Sequence, residues 1–292
     1  MKSFRSILAE AHATRRAIAL PGAYDALSAR LIEQAGFSAV YVTGAGLANS
    51  SLGVPDIGLV TAIELRDHVA RLADAVSVPL IVDADTGFGN AVNVYRTVRL
   101  LERAGASAIQ IEDQVFPKKC GHFAGKAVIS AQEMVQKVHA AVDARISDDT
   151  VIIARTDARA VSSLEEACER ANLYREAGAD VLFIEAPESQ QELSVVGARF
   201  DVPLVANMVE GGKTPLLSVD ELGEIGFSLV LFANAALRVA QHSMTELFKE
   251  LSNSGSTNSL LGQMATWEER QAIVGKPHFD ALELKYSTKD GS

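Results

Sequence analysis

A chain of 292 residues that is 48% apolar can bury one large core, and its net charge of −10 disfavours nucleic acid or an anionic membrane surface as the main partner. No apolar run approaches the roughly 18–20 residues that span a bilayer, and the N-terminus MKSFRSILAEAHATRR lacks the apolar centre of a secretory signal. With Cys120 and Cys168 as its only cysteines the chain has no disulfide framework, so a cytoplasmic location is expected.

Short runs rich in Ile and Val recur in chain order at residues 17–20, 39–42, 80–82, 108–111, 151–154, 181–184, 204–206 and 229–232. Each is nearly continuous in apolar character, as parallel strands buried on both faces are. Between them lie amphipathic helical stretches such as TAIELRDHVARLADAV, AVNVYRTVRLLERAG and SAQEMVQKVHAAVDAR. Several helices close on Ala-Gly, at Gly36, Gly105 and Gly178, where glycine supplies the left-handed residue that ends a helix. Cys168 sits in SLEEACERANLYREAG and reads as a small core residue. Eight strands alternating with helices predict an α/β protein, a (β/α)8 TIM barrel over residues 1–252, in preference to an open doubly wound sheet. The polar stretch SNSGSTNSLLG then leads to a helical piece around 266–274 and a tail containing Lys276-Pro277-His278-Phe279. Residues 253–292 are expected to be a C-terminal helical extension of the same domain.

Polar residues replace apolar ones at the C-terminal ends of consecutive strands: Asp83 and Asp85, then Glu112, Arg155, Glu185 and Asn207. Barrel enzymes keep their active sites at that end. Residues two apart share a strand face, so Asp83 and Asp85 are expected to point the same way, although Asp85 could instead cap the next helix. Three carboxylates, Asp83, Asp85 and Glu112, would repel one another unless a cation lies between them. Oxygen ligands suit Mg2+, or Mn2+ in its place, better than Zn2+. The second strand ends in Tyr41-Val42-Thr43-Gly44-Ala45-Gly46, whose backbone N–H groups can cradle a carboxylate or phosphate; without a Walker or dinucleotide pattern, no nucleotide is expected. In the loop Lys118-Lys119-Cys120-Gly121-His122 the cations around Cys120 lower a thiol pKa and suit it to proton donation or nucleophilic attack. A plain solvated basic loop is the competing reading.

Taken together, TGAG, PDIG, DADTGFG, IEDQVFPKKCGH, ARTDA, FIEAP and NMVEGGKTP resemble the isocitrate lyase and phosphoenolpyruvate mutase superfamily over residues 15–250. The resemblance implies Mg2+ held through Asp85, with Asp83, Glu112 and waters completing the site and Asp56 near those waters. It also implies that Thr43, Gly44, Ala45 and Arg155 clamp the carboxylate of an α-keto or α-hydroxy acid. The carbon–carbon lyase branch carries the Cys-Gly-His loop where mutases have Asn, so Cys120 points to that branch. Retro-aldol cleavage would then use Cys120 to protonate the departing enolate, Tyr41 or Glu185 to accept the hydroxyl proton, and Gly121, His122 and Asn207 to hold the second carboxylate. Methylisocitrate-cleaving members typically read CGHRPNK and NITEFG where this chain has Phe123 and Val209. That departure favours a 2,3-dimethylmalate or 2-alkylmalate type of dicarboxylate over the tricarboxylate 2-methylisocitrate. Oxaloacetate hydrolysis or decarboxylation, and a non-catalytic keto-acid-binding barrel, are the other readings. Relatives exchange a terminal helix, so a homodimer or homotetramer with swapped helices is expected.

Overall fold

In the computed structural model, which describes residues 2–119 and 125–287, all eight strands form and close a parallel barrel in sequential order. They are β1 Ile18–Ala23, β2 Val40–Val42, β3 Leu80–Asp83, β4 Ala106–Glu112, β5 Val151–Thr156, β6 Val181–Ile184, β7 Leu204–Asn207 and β8 Leu229–Phe232. The barrel helices are α1 Phe4–Thr14, α2 Ala26–Gln34, α3 Gly44–Leu47, α4 Ala62–Ala75, α5 Ala91–Arg103, α6 Ala131–Ala144, α7 Ala158–Val161, α8 Leu164–Glu176, α9 Gln190–Arg199 and α10 Val219–Ile225. After β8 come α11 Ala235–Ser254, α12 Trp267–Ile273 and α13 Lys276–Tyr286. Gly36, Gly105 and Gly178 take φ of 87°, 108° and 102°, so these helices do end on left-handed glycines.

Strand alternation divides the core in two. Tyr41, Ile81, Ala108, Ile153, Phe183, Val205 and Leu231 pack inside the barrel, with Phe4 and Leu8 of α1 in the same cluster. Their neighbours Val42, Val82, Ile109, Ile152, Leu182, Ala206 and Val230 pack outward against the helices, where Cys168 is buried as expected. Each fully buried aliphatic side chain contributes roughly 1.5–3 kcal/mol of transfer free energy, so a one-residue slip of any strand is strongly resisted. The same parity carries Thr43, Asp83, Glu112, Arg155, Glu185 and Asn207 to one end of the barrel, on the inward face or just beyond it.

The chain divides into two compact units, residues 1–237 and 238–292, the first of which carries the barrel. No described residue of the second unit is buried. Its helix α12 falls where the sequence predicts one, but the expected tail forms α13 as well. Gly275 turns the chain at φ 73° and Pro277 sits in the first turn, where its missing N–H has no helical partner to lose. No helix among the described residues is long and apolar enough to cross a membrane.

Candidate active site

Asp83 and Asp85 converge, but a turn brings them together and strand periodicity does not. β3 ends at Asp83, and Asp85 takes a left-handed φ of 48°. The Asp85 backbone N–H donates to Asp83 Oδ1 at 3.2 Å. A Cβ on Gly44 would lie 3.2 Å from Asp83 Oδ2 and 3.4 Å from Asp85 Oδ1, so both carboxylates face the first residue of α3 and a side chain there would crowd them. Asp85 is not a helix cap: Asn90 caps α5, accepting from Val92 N and Asn93 N. Its carboxylate is thereby left to the site.

Lys118, which sequence reasoning used only as a neighbour of Cys120, reaches into this acidic pair. Its Nζ lies 2.8 Å from Asp85 Oδ1 and also pairs with Asp56, and the residue is only 4% exposed. Burial alone would lower its pKa, but Asp85, Glu112, Asp83 and Asp56 hold it well above the usual lysine range. One ammonium does not balance four carboxylates. Burial pushes Asp85 up to about 7, with Asp83 and Asp56 adding to the shift against Lys118, and burial also drives Glu112 well above the usual carboxylate range. Glu112 Oε1 is buried with no hydrogen-bond partner, and the buried Asp85 Oδ1 meets the Lys118 ammonium.

Glu112 shares the field of Lys118 with Asp83 and Asp85. Among the described residues no three His, Cys, Asp or Glu side chains are gathered closely enough to enclose an ion. Glu112 is drawn instead toward Arg155, whose Nε lies 3.4 Å from Glu112 Oε2. The donor set, oxygen-only, with Glu112 Oε1 unpartnered and the Asp83 and Asp85 carboxylates side by side, fits a divalent ion that keeps part of its water shell.

Across the barrel mouth the register places Glu112 beside Arg155, and Arg155 beside Phe183. The Arg155 guanidinium lies over the Phe183 ring, 5.1 Å from its centroid. Its Nε and Nη2 donate to Asp157 at 2.9 and 3.1 Å, and Nη1 stands 3.5 Å from Glu185 Oε2. The Asn207 amide donates to both Glu185 oxygens at 3.3–3.4 Å. Tyr41 O–H donates to Gln110 Oε1 at 3.0 Å, and Gln110 Nε2 donates to Asp83 Oδ1 at 3.4 Å. Burial first, then Asp83, keeps the Tyr41 phenol well above its ordinary pKa.

Thr43 caps α3 by accepting from Gly46 N at 3.1 Å, and its hydroxyl donates to Asn234 Oδ1 at 3.1 Å. The N–H groups of Gly44 and Ala45, in the first turn, have no carbonyl partner inside the helix. Gln110, Asp157 and Asn234 were not expected from the sequence. Gln110 had a signal, since it shares the inward parity of Glu112. Cys120, Gly121 and His122, with Phe123, lie outside the described residues.

Residues 8–252 match the phosphoenolpyruvate phosphomutase family. The chain is similar to a 2,3-dimethylmalate lyase of Eubacterium barkeri, 45% identical over 94% of this chain and 95% of that one. It is equally similar, at 45% over 97% of this chain and 91% of the other, to a 2-methylisocitrate lyase of Aeropyrum pernix. A solved 2,3-dimethylmalate lyase superposes with a TM-score of 0.91 at 36% identity, covering 100% of this chain and 99% of that one. With the barrel, the acidic strand ends and the Arg155 cluster, these likenesses establish that the chain belongs to the phosphoenolpyruvate mutase/isocitrate lyase superfamily.

Proposed function

We propose that the protein is a Mg2+-dependent carbon–carbon lyase that cleaves a 2-hydroxy dicarboxylate of the 2,3-dimethylmalate or 2-alkylmalate type to a keto acid, such as pyruvate, and a carboxylic acid. The observation that carries it is the surplus of carboxylates, Asp56, Asp83 and the buried Asp85 and Glu112, around Lys118, with Glu112 reaching an arginine that is itself held in place. A bound Mg2+, or Mn2+ in its place, supplies Lewis acidity toward the substrate hydroxyl and the forming keto oxygen. Asp85, with Asp83 and Glu112 through waters, would hold it.

The chain's own groups account for the remaining needs. Arg155 and the Gly44 and Ala45 N–H groups, presented by Thr43, bind the carboxylate next to the reacting carbon. Glu185 accepts the hydroxyl proton as the C–C bond breaks and its electron pair passes to the enolate of the departing acid. Glu185 suits this better than Tyr41, whose proton is engaged with Gln110 and whose pKa burial holds high. Tyr41 then serves through Gln110 to orient Asp83. Gly121, His122 and Asn207 hold the second carboxylate, and the Cys120 thiol gives its proton to the carbanion carbon. Lys118 offsets charge between Asp56 and Asp85. Val209, half-buried after β7, supports apolar substituents in place of a third carboxylate.

A second copy completes the proposed assembly, as a homodimer or homotetramer that buries the apolar side chains of the C-terminal unit, with the terminal helices exchanged between barrels. We place the enzyme in the cytoplasm. The deciding experiment is a coupled keto-acid-release assay on 2,3-dimethylmalate, 2-alkylmalates, 2-methylisocitrate, isocitrate and oxaloacetate, with and without Mg2+. Mg2+-dependent release from the substituted malates is expected. Turnover of 2-methylisocitrate alone would move the assignment to the other equally similar relative, and turnover of oxaloacetate alone would abandon C–C cleavage of hydroxy acids.

A further inference from the structure

We propose that Asp157 is a positioning residue that aims Arg155 at the ligand carboxylate and, through Lys126, ties the chain that follows the Cys120 loop to that clamp. The inference rests on the reading of Arg155 as the ligand clamp. Asp157 lies one residue past β5, and its carboxylate serves two cations at once. Arg155 donates to it through Nε and Nη2, while Lys126 Nζ stands 2.6 Å from Asp157 Oδ1. A guanidinium is a rigid planar fork, so engaging two of its nitrogens on one carboxylate fixes where the remaining donors point. Here they point along Nη1, toward Glu185 and the barrel mouth.

Asp157 is itself held from behind. Its backbone N–H donates to Asp113 Oδ1 at 2.9 Å, and Asp113 Oδ2 accepts from Thr156 Oγ1 and Tyr174 O–H, both at 2.7 Å. Asp113 is fully buried, and Arg170 lies 3.4 Å from it. The chain of contacts thus runs from α8 through β4 and β5 to the guanidinium. Lys126 is the unexpected member: its side chain is only 3% exposed, although it follows Cys120 by six residues in a basic loop. Burying a lysine costs rotamer entropy and hydration, which the pair with Asp157 must offset. What it fixes is the return arm of the loop that carries the proposed proton donor.

The test uses the full-length Mg2+-loaded protein, oxalate as a planar dicarboxylate probe read by calorimetry, and the alkylation rate of Cys120 read by mass spectrometry, with buried Cys168 as internal control. Arg155→Gln and Asp157→Asn should each weaken oxalate binding by about tenfold or more, since misaiming a clamp by about 1 Å is costly. Lys126→Met should leave oxalate affinity within about threefold while raising the Cys120 alkylation rate roughly fivefold, because the anchor alone is lost. A merely structural Asp157 would lower the melting temperature yet leave the folded protein's oxalate affinity unchanged, and that result overturns the proposal. So does an unchanged Cys120 rate in Lys126→Met, a variant that remains informative if Asp157→Asn does not fold. If Arg155→Gln also binds oxalate like the parent, the clamp reading itself is wrong and the inference goes with it.

Discussion

Asp85 is held where a carboxylate is least comfortable: buried, beside Asp83 and Asp56, with Lys118 the close cation among the described residues. Such a site trades stability for function. Activity should therefore vanish with a chelator and return with Mg2+ or Mn2+. Asp85→Asn should lose turnover by of order a thousandfold while the chelated protein melts within about 5 °C of the parent, or above it. Full activity in metal-stripped protein would remove the proposed site. Cys120 yields a second expectation at the same scale. Cys120→Ser should keep oxalate affinity but lose roughly a hundredfold or more in turnover, because a serine hydroxyl is a far weaker acid at neutral pH. Turnover near the parent's would reduce the Lys-Lys-Cys-Gly-His loop to a binding element.

Helix α4 shows how an element's packing sets a pH dependence. Thr61 and Glu64 form a capping box at its start, and His68, one turn further on, is 4% exposed with Nε2 unpaired. Burial first, then Arg71, lowers the His68 pKa to about 4, against a smaller opposing effect of Asp25. The folded protein therefore refuses a proton that the unfolded chain accepts at about pH 6.5. This contribution to stability is complete above pH 6.5 and declines as the pH falls toward 4, by at most about 3 kcal/mol. His68→Gln should flatten the acid limb of urea stability between pH 7 and 4.5 by about 2 kcal/mol, common carboxylate effects being equal in both proteins. An unchanged slope would show that His68 is not the group responsible. Helix α5 makes a different point about elements: because Asn90 accepts the first-turn N–H groups, Asp85 is spared that duty.

At the scale of the whole molecule, the second unit presents large apolar side chains to solvent, Phe248 at 62%, Trp267 at 65% and Leu284 at 79% among them. These are the groups that the proposed assembly would bury. Phe248→Asp or Trp267→Asp should shift the protein from dimer or tetramer toward monomer by light scattering at micromolar concentration, with the barrel's melting little changed; a parent that is already monomeric contradicts the proposed assembly. The barrel itself was legible in the sequence. Alternating apolar runs, left-handed glycines and polar residues at strand ends are local stereochemistry, and Glu112, Arg155, Glu185 and Asn207 fall where that alternation puts them. Lys118 between Asp56 and Asp85, the turn that brings Asp85 to Asp83, and the sharing of Asp157 by Arg155 and Lys126 were not legible. Sequence spacing fixes which face of a strand a charge occupies. Which opposite charge it meets is decided only when barrel closure brings distant loops together and burial leaves each charge no partner but those within reach.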